Sequence, residues 1–84
     1  MWYLEPDKSQ KSFYKKAMVE YDEGRYYLYS YGTCVCSCSV YGQDFKRYWA
    51  DWSATTARHI NAFRTHYAKL PHINKRDWVD LPVI

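Results

Sequence analysis

The chain has 84 residues, of which 48% are hydrophobic, 20% aromatic and 25% charged, and a formal net charge of +3. That length holds one hydrophobic core and not two, so a single domain over residues 1–84 is expected, and the apolar content excludes a disordered chain. Basic and acidic residues are interleaved along the sequence, which excludes an acidic DNA mimic and permits nucleic-acid contact without requiring it.

The first seven residues lack the basic and apolar regions of a secretory leader, and no apolar run is long enough to span a bilayer. Three cysteines crowd into Cys34-Val35-Cys36-Ser37-Cys38, unlike the spread pairs of a secreted disulfide scaffold. A cytoplasmic protein without a membrane partner is therefore expected. Residues 13–21 and 25–31, rich in aromatic and β-branched side chains, flank Asp22-Glu23-Gly24 and read as a hairpin. Residues 33–40 form a third predicted strand. After the turn signal Tyr41-Gly42-Gln43-Asp44, residues 45–49 can return antiparallel to it. With Gly42-Gln43 as a two-residue loop, Cys36 pairs with Trp49, and Cys34, Cys36, Cys38, Val40, Phe45 and Trp49 share one inward face. For the first hairpin, the set Ala17, Val19, Tyr21, Tyr26 and Leu28 competes with Met18, Glu20, Tyr27, Tyr29 and Tyr31 for the core, and register across Gly32 decides between them.

From Ser53 the period becomes helical, with Ile60, Phe63, Tyr67 and Leu70 on one face, Ser53 or Thr55 as the cap and Pro71 as the stop. Asn74 can cap a short second helix with Asp77 at its third position, and Ile73 and Trp78 are spaced as a hydrophobic staple. The expected architecture is α+β: a three- or four-stranded antiparallel sheet, one long helix packed on a face, and a short C-terminal helix.

No catalytic constellation is readable. In an extended strand Cys34 and Cys38 stand about 13 Å apart, so one metal cannot take all three thiolates, although a pair could join His59 or His66 in a zinc site. The spacing is not that of a zinc motif, and neither a metal nor another cofactor is expected. No cysteine follows a glycine-rich elbow, and no loop is built to cradle phosphate. His59 and His66 are two helical turns, about 10 Å, apart and cannot chelate together. Two candidate partner-binding surfaces remain. Arg58, Thr65 and Lys69 around Ala62 would form a basic stripe on the far side of the helix. Tyr27, Tyr29 and Tyr31 would offer stacking platforms for bases or rigid anchors for a protein, a homodimer included. Against these stand a solvated helix face and tyrosines used simply as core.

The segments Leu28-Tyr29-Ser30-Tyr31-Gly32-Thr33-Cys34-Val35 and Trp49-Ala50-Asp51-Trp52-Ser53-Ala54-Thr55-Thr56-Ala57-Arg58-His59-Ile60-Asn61-Ala62-Phe63 carry a resemblance. They are similar to small uncharacterised proteins of bacteriophages and other mobile elements in Firmicutes, which pair Leu-x-Ser-Tyr-x-Thr-x-Val with aromatic-Ser-Ala-Thr-Thr-x-Arg-His-Ile-Asn-x-Phe. The ending Trp78-Val79-Asp80-Leu81-Pro82-Val83 is also similar. No activity and no site residue carries over from that group, and Cys36 and Cys38 fall outside its pattern. The resemblance implies expression inside a bacterial host and a non-enzymatic protein that binds a host protein stoichiometrically. Inhibitors of host defence, with a CRISPR effector nuclease as the target, are one such class. The alternative is a small nucleic-acid-binding module using the basic helix face and the tyrosine-rich sheet.

Overall fold

The computed structural model describes residues 1–5 and 16–84. Five strands, β1 (Trp2–Tyr3), β2 (Ala17–Asp22), β3 (Arg25–Ser30), β4 (Thr33–Ser39) and β5 (Lys46–Arg47), form one antiparallel sheet in chain order. The fold is α+β, as the change from strand to helical period implies. The described sheet exceeds the expected three or four strands because β1 adds an edge. Two residues are too few to leave a periodic signal. The start of the first predicted strand, residues 13–15, lies outside the described residues.

Both inner hairpins turn on two residues of positive φ, Glu23-Gly24 (47° and 82°) and Tyr31-Gly32 (52° and 82°). Such turns match the right-handed twist of the flanking strands. The second turn settles the register that the sequence left open. Ala17 pairs with Ser30 and Val19 with Leu28, and these four are buried toward the helix. Met18, Glu20, Tyr27 and Tyr29 therefore take the opposite face.

Strand β4 breaks its own period. Leu28 pairs with Cys36 but Tyr29 with Cys34, which leaves Val35 as the extra residue of a bulge. Val35 turns its carbonyl toward the chain after β5, where it accepts from the amides of Tyr48 and Trp49 at 3.0 and 3.3 Å. The bulge overturns the expected three-cysteine face: Cys36 and Cys38 are buried in the core, and Cys34 moves to the outer face beside Tyr29. The β4–β5 connection differs too. Cys36 pairs with Arg47 rather than Trp49, because Ser39 closes a turn of its own, taking the Gly42 amide on its carbonyl and the Gln43 amide on Oγ. The shift is two residues, so parity survives and Phe45 and Trp49 still pack on the core. Val40 is exposed and Arg47 is buried.

Helix α1 (Ala54–Phe63) begins at Ser53, whose Oγ accepts from the Thr56 amide at 3.1 Å. It buries Thr56, His59, Ile60, Ala62 and Phe63. The expected single long helix ends after ten α-helical residues and continues as one π-helical stretch, Arg64–Ala68. Lys69, at φ 55°, stops it before Pro71 can, with the Lys69 and Leu70 amides both returned to the Arg64 carbonyl. Tyr67 and Leu70 remain packed on the core. Helix α2 (Lys75–Asp80) starts as expected, the Asn74 side chain accepting from the Asp77 amide at 2.8 Å. Ile73 and Trp78 are buried, and the Trp78 indole donates to the Asp51 carbonyl at 2.8 Å. Among the described residues, no helix is long and apolar enough to cross a membrane.

Gly42 joins the β4–β5 loop to the end of the π stretch. It sits at φ 74°, and a Cβ there would lie 3.0 Å from the Ala68 carbonyl oxygen and 3.3 Å from that of Tyr67. Backbone cannot yield as a side chain tip can. Gly42→Ala should therefore cost more than the roughly 1 kcal/mol of a left-handed alanine. Gly24→Ala, at φ 82° with nothing within 4 Å of its added carbon, should cost only that. Urea unfolding of the two variants measures the difference, and equal losses would show that the Gly42 contact relaxes freely.

Candidate partner-binding surface

One end of the molecule gathers aromatic rings from distant parts of the chain. Tyr26, on the helix-facing side of β3, lies at the centre, its ring centroid 4.8 Å from that of Tyr67, 5.7 Å from Tyr21 and 6.1 Å from Trp2. The Trp2–Tyr26 contact is edge-to-face at 85°, and Tyr67 in turn stacks on buried Phe63 at 5.3 Å. The Trp2 indole N–H donates to the Tyr67 hydroxyl at 2.7 Å. Each ring is thus held by its neighbours, yet Trp2 is 40% and Tyr21 54% exposed. The β4–β5 loop joins the same end, since the Val40 amide bonds the Gly24 carbonyl at 3.0 Å and Gly42 seats against the Tyr67–Ala68 backbone. Tyr41 between them is 85% exposed.

The π-helical stretch makes this arrangement possible. Its wider turn carries Tyr67 over Tyr26 while Ala68 stays buried and Arg64 turns its Nε to the Pro71 carbonyl at 2.9 Å. The Arg64 guanidinium lies 4.7 Å over the Phe45 ring. Burial lowers its pKa, with Cys36 and Asp77 acting the other way.

The residues singled out from sequence do not form one surface. Tyr27 and Tyr29 are half-buried on the outer sheet face, where Tyr27 stacks on Tyr48 at 6.4 Å. Tyr31 leaves them for the turn, where it is 55% exposed and its ring lies 5.8 Å from that of His59. Part of the outer face is held by polar contacts around Asp44 and Ser37: Arg25 bonds Asp44 at 2.9 Å and the Ser37 hydroxyl at 2.8 Å, Lys46 lies 3.6 Å from Asp44, and Ser37 also bonds the Tyr48 hydroxyl. Arg58, Thr65 and Lys69 are exposed, but Ala62 between them is buried, so they do not make a continuous stripe. The Lys69 ammonium caps the π stretch by donating to the His66 carbonyl at 3.0 Å. The sequence reading missed Trp2, Tyr21, Tyr26, Tyr41 and Tyr67. Tyr21, Tyr26 and Tyr67 were expected on apolar faces as core residues, and only tertiary contact brings them together with Trp2.

Cysteine and histidine chemistry is likewise dispersed. Among the described residues, no three His, Cys, Asp or Glu side chains converge on a point where a metal could sit. Ser30 Oγ lies 2.8 Å from His59 Nδ1 and 3.0 Å from Thr56 Oγ1. All three are buried, so this network ties β3 to α1 where no substrate can approach the hydroxyl.

A model of a protein family matches residues 4–80. The chain belongs to a family of unknown function, DUF8033. No curated protein and no solved structure shows significant similarity to it. The span shared with the family holds the buried network, both helix caps and three members of the aromatic cluster, Tyr21, Tyr26 and Tyr67, while Trp2 lies outside it.

Thiol reactivity checks the placement of the cysteines. Burial pushes the Cys36 thiol well above its ordinary range, Cys34 and Cys38 adding to the shift and Arg64 opposing it. Burial and then the Glu20 charge raise Cys34, while hydrogen bonding with Tyr29 acts the other way. Burial also raises Cys38 against the pull of Arg25. At pH 7 iodoacetamide should thus modify the native protein slowly and at Cys34 alone, reaching Cys36 and Cys38 only on unfolding. Because the folded thiols hold their protons more tightly than the unfolded ones, the stability they contribute is present below about pH 8.5 and lost as pH rises above it. Native labelling at Cys34 as slow as at Cys36 would contradict the bulge.

Proposed function

We propose that the chain is a non-enzymatic protein-binding module that acts in the bacterial cytoplasm and inhibits or redirects a host protein by stoichiometric binding. The observation that carries this reading is the aromatic end. Trp and Tyr are the side chains most enriched at binding hot spots, because they bury large area at small entropic cost. Here the cost falls further, since Trp2, Tyr26 and Tyr67 are already locked by mutual packing and the indole–hydroxyl bond. The resemblance of the Trp52–Phe63 segment to mobile-element proteins supports a host target, and a CRISPR effector nuclease is the class we put first. An inhibitor of this kind would occupy a protein surface rather than imitate DNA, in keeping with a net charge of +3.

The nucleic-acid alternative draws less support. Arg25 and Lys46, cations of the outer sheet face, are engaged with Asp44, and the helix cations are interrupted by buried Ala62.

Affinity capture from bacterial lysate, with and without nuclease treatment, separates the two. One host protein should be retained in near one-to-one amount after nuclease treatment, and Trp2→Ala/Tyr21→Ala should weaken its retention by some thirtyfold, about 2 kcal/mol. Arg58→Ala/Lys69→Ala should leave it unchanged. Retention that vanishes with nuclease, or follows Arg58 and Lys69 instead, would transfer the function to nucleic acid.

A further inference from the structure

The aromatic end presents rings rather than main-chain groups. Strand β1 already lines the β2 edge there, pairing Trp2 with Val19 and Tyr3 with Met18, and the same register sets Met1 opposite Glu20. In the neighbouring loop the Val40 amide is spent on the Gly24 carbonyl, the Gly42 amide on the Ser39 carbonyl and the Gln43 amide on Ser39 Oγ. A partner that needed a ladder of backbone hydrogen bonds would have to displace pairs already made.

Size narrows the occupant further. The exposed parts of Trp2, Tyr21 and Tyr41 amount to roughly 350 Å², at about 200 Å² for a whole aromatic side chain. A stable interface between two folded surfaces, a second copy of this chain included, takes about 800 Å² from each side. The rings therefore suit a short extended segment better than a second globular face.

Their geometry selects the conformation of that segment. Trp2 meets Tyr26 edge-on at 85°, and Tyr21 is tilted by 58° to Tyr26, so the rings stand as ridges and not as one flat plate. Their centroids lie 6.1 and 5.7 Å from that of Tyr26, a spread that one turn of polyproline II, three residues in about 9 Å, covers. Such a segment has ridges of its own, and its prolines carry no N–H to be left unpaired against the rings. Its carbonyls can accept from the hydroxyls of Tyr21 and Tyr41. Trp2 is already held by its bond to Tyr67, and polyproline II is itself preformed, so little ordering entropy opposes the contact.

We infer that the ridges of Trp2, Tyr26 and Tyr21 form a docking site for a proline-rich segment in the polyproline II conformation, of pattern Pro-x-x-Pro, with the two prolines seated on either side of Tyr26. This inference rests on the protein-binding reading and specifies the element of the partner that is recognised.

The test titrates the isotope-labelled full chain with Ac-Pro-Pro-Leu-Pro-Pro-Leu-Pro-amide, following the indole N–H signals and every backbone amide by NMR. The Trp2 indole and the Tyr21 and Tyr26 amides should shift together and saturate, while the buried Trp78 indole stays in place. Replacing the prolines by alanine should weaken binding at least about tenfold, and so should Trp2→Ala or Tyr21→Ala, whereas Tyr21→Phe, which keeps the ring, should cost only about threefold. Equal binding of the alanine peptide, shifts centred on Tyr27 and Tyr48, an unmoved Trp2 indole at millimolar peptide, or dimerisation of the chain that Trp2→Ala abolishes would overturn the inference. So would a captured host protein that depends on Trp2 and Tyr21 but whose footprint, mapped by hydrogen exchange, holds no proline-rich segment, which would leave the protein-binding reading standing.

Discussion

A buried guanidinium organises the C-terminal half of the protein. Arg47 comes from β5, a two-residue strand at the end of the sheet, and its face places it under the helices rather than in water. A cation so buried must find acceptors for its donors. It donates to the carbonyls of Trp49 at 2.9 Å, Ala50 at 2.7 Å, Leu81 at 2.8 Å and Val79 at 3.3 Å, and lies 5.2 Å over the Trp78 ring. No described carboxylate pairs with it. The charge is balanced instead by carbonyl dipoles, including those at the C-terminal end of α2, where a helix favours a cation. Lysine would present three donors from one point and could not span both segments. Loop, helix and chain end are thereby bound to one side chain, and the loop delivers Ser53 to the start of α1.

From that start, the dependence runs to the far end of the molecule. The Ser53 cap sets the helix phase that directs Thr56 and His59 to Ser30, while Asn61 clamps residue 73 by donating to its carbonyl at 3.2 Å and accepting from its amide at 2.7 Å. Phe63 then lies under Tyr67. The residues of the Trp52–Phe63 segment are mostly spent here: Ser53 caps, Thr56 and His59 bond β3, Ile60 and Phe63 fill the core, and Asn61 holds the returning chain. Of the segment's remaining polar side chains, Thr55 is half-buried and Arg58 faces solvent. The motif is best understood as a folding signature, which explains how it can be recognisable while pointing to no chemistry.

What could be read from sequence was local. Both helix caps depend on residues three apart, the Glu23-Gly24 turn on two adjacent residues, and the stripe through Ile60 and Phe63 on one period. The bulge at Val35 is of another kind, because it reconciles two registers, that of β4 with β3 and that of β4 with the chain after β5. Burial of Arg47 was implicit in the parity that placed Phe45 and Trp49 inward, but the acceptors that make it tolerable come from residues 79 and 81. The aromatic end was least legible. Trp2 and Tyr67 are 65 residues apart, and Tyr21 and Tyr26 face the core side at the one place where the core has run out.

That last circumstance also explains why the aromatic end suits binding better than the tyrosines of the outer face. On the outer face, Tyr27 and Tyr48 lie over Ser37, and Arg25, Lys46 and Asp44 satisfy one another, so a partner arriving there would have to break polar contacts already made. At the aromatic end the rings continue the apolar face of the sheet beyond the reach of α1. Their packing energy with one another survives association, and the surface they still show to water can be buried without breaking a polar bond. Gly42 keeps the neighbouring loop close enough to present Tyr41 beside them. The acidic turn next to these rings adds a directional charge to an otherwise non-directional attraction, so in the proposed binding mode a partner would take its orientation from the turn and its affinity from the rings.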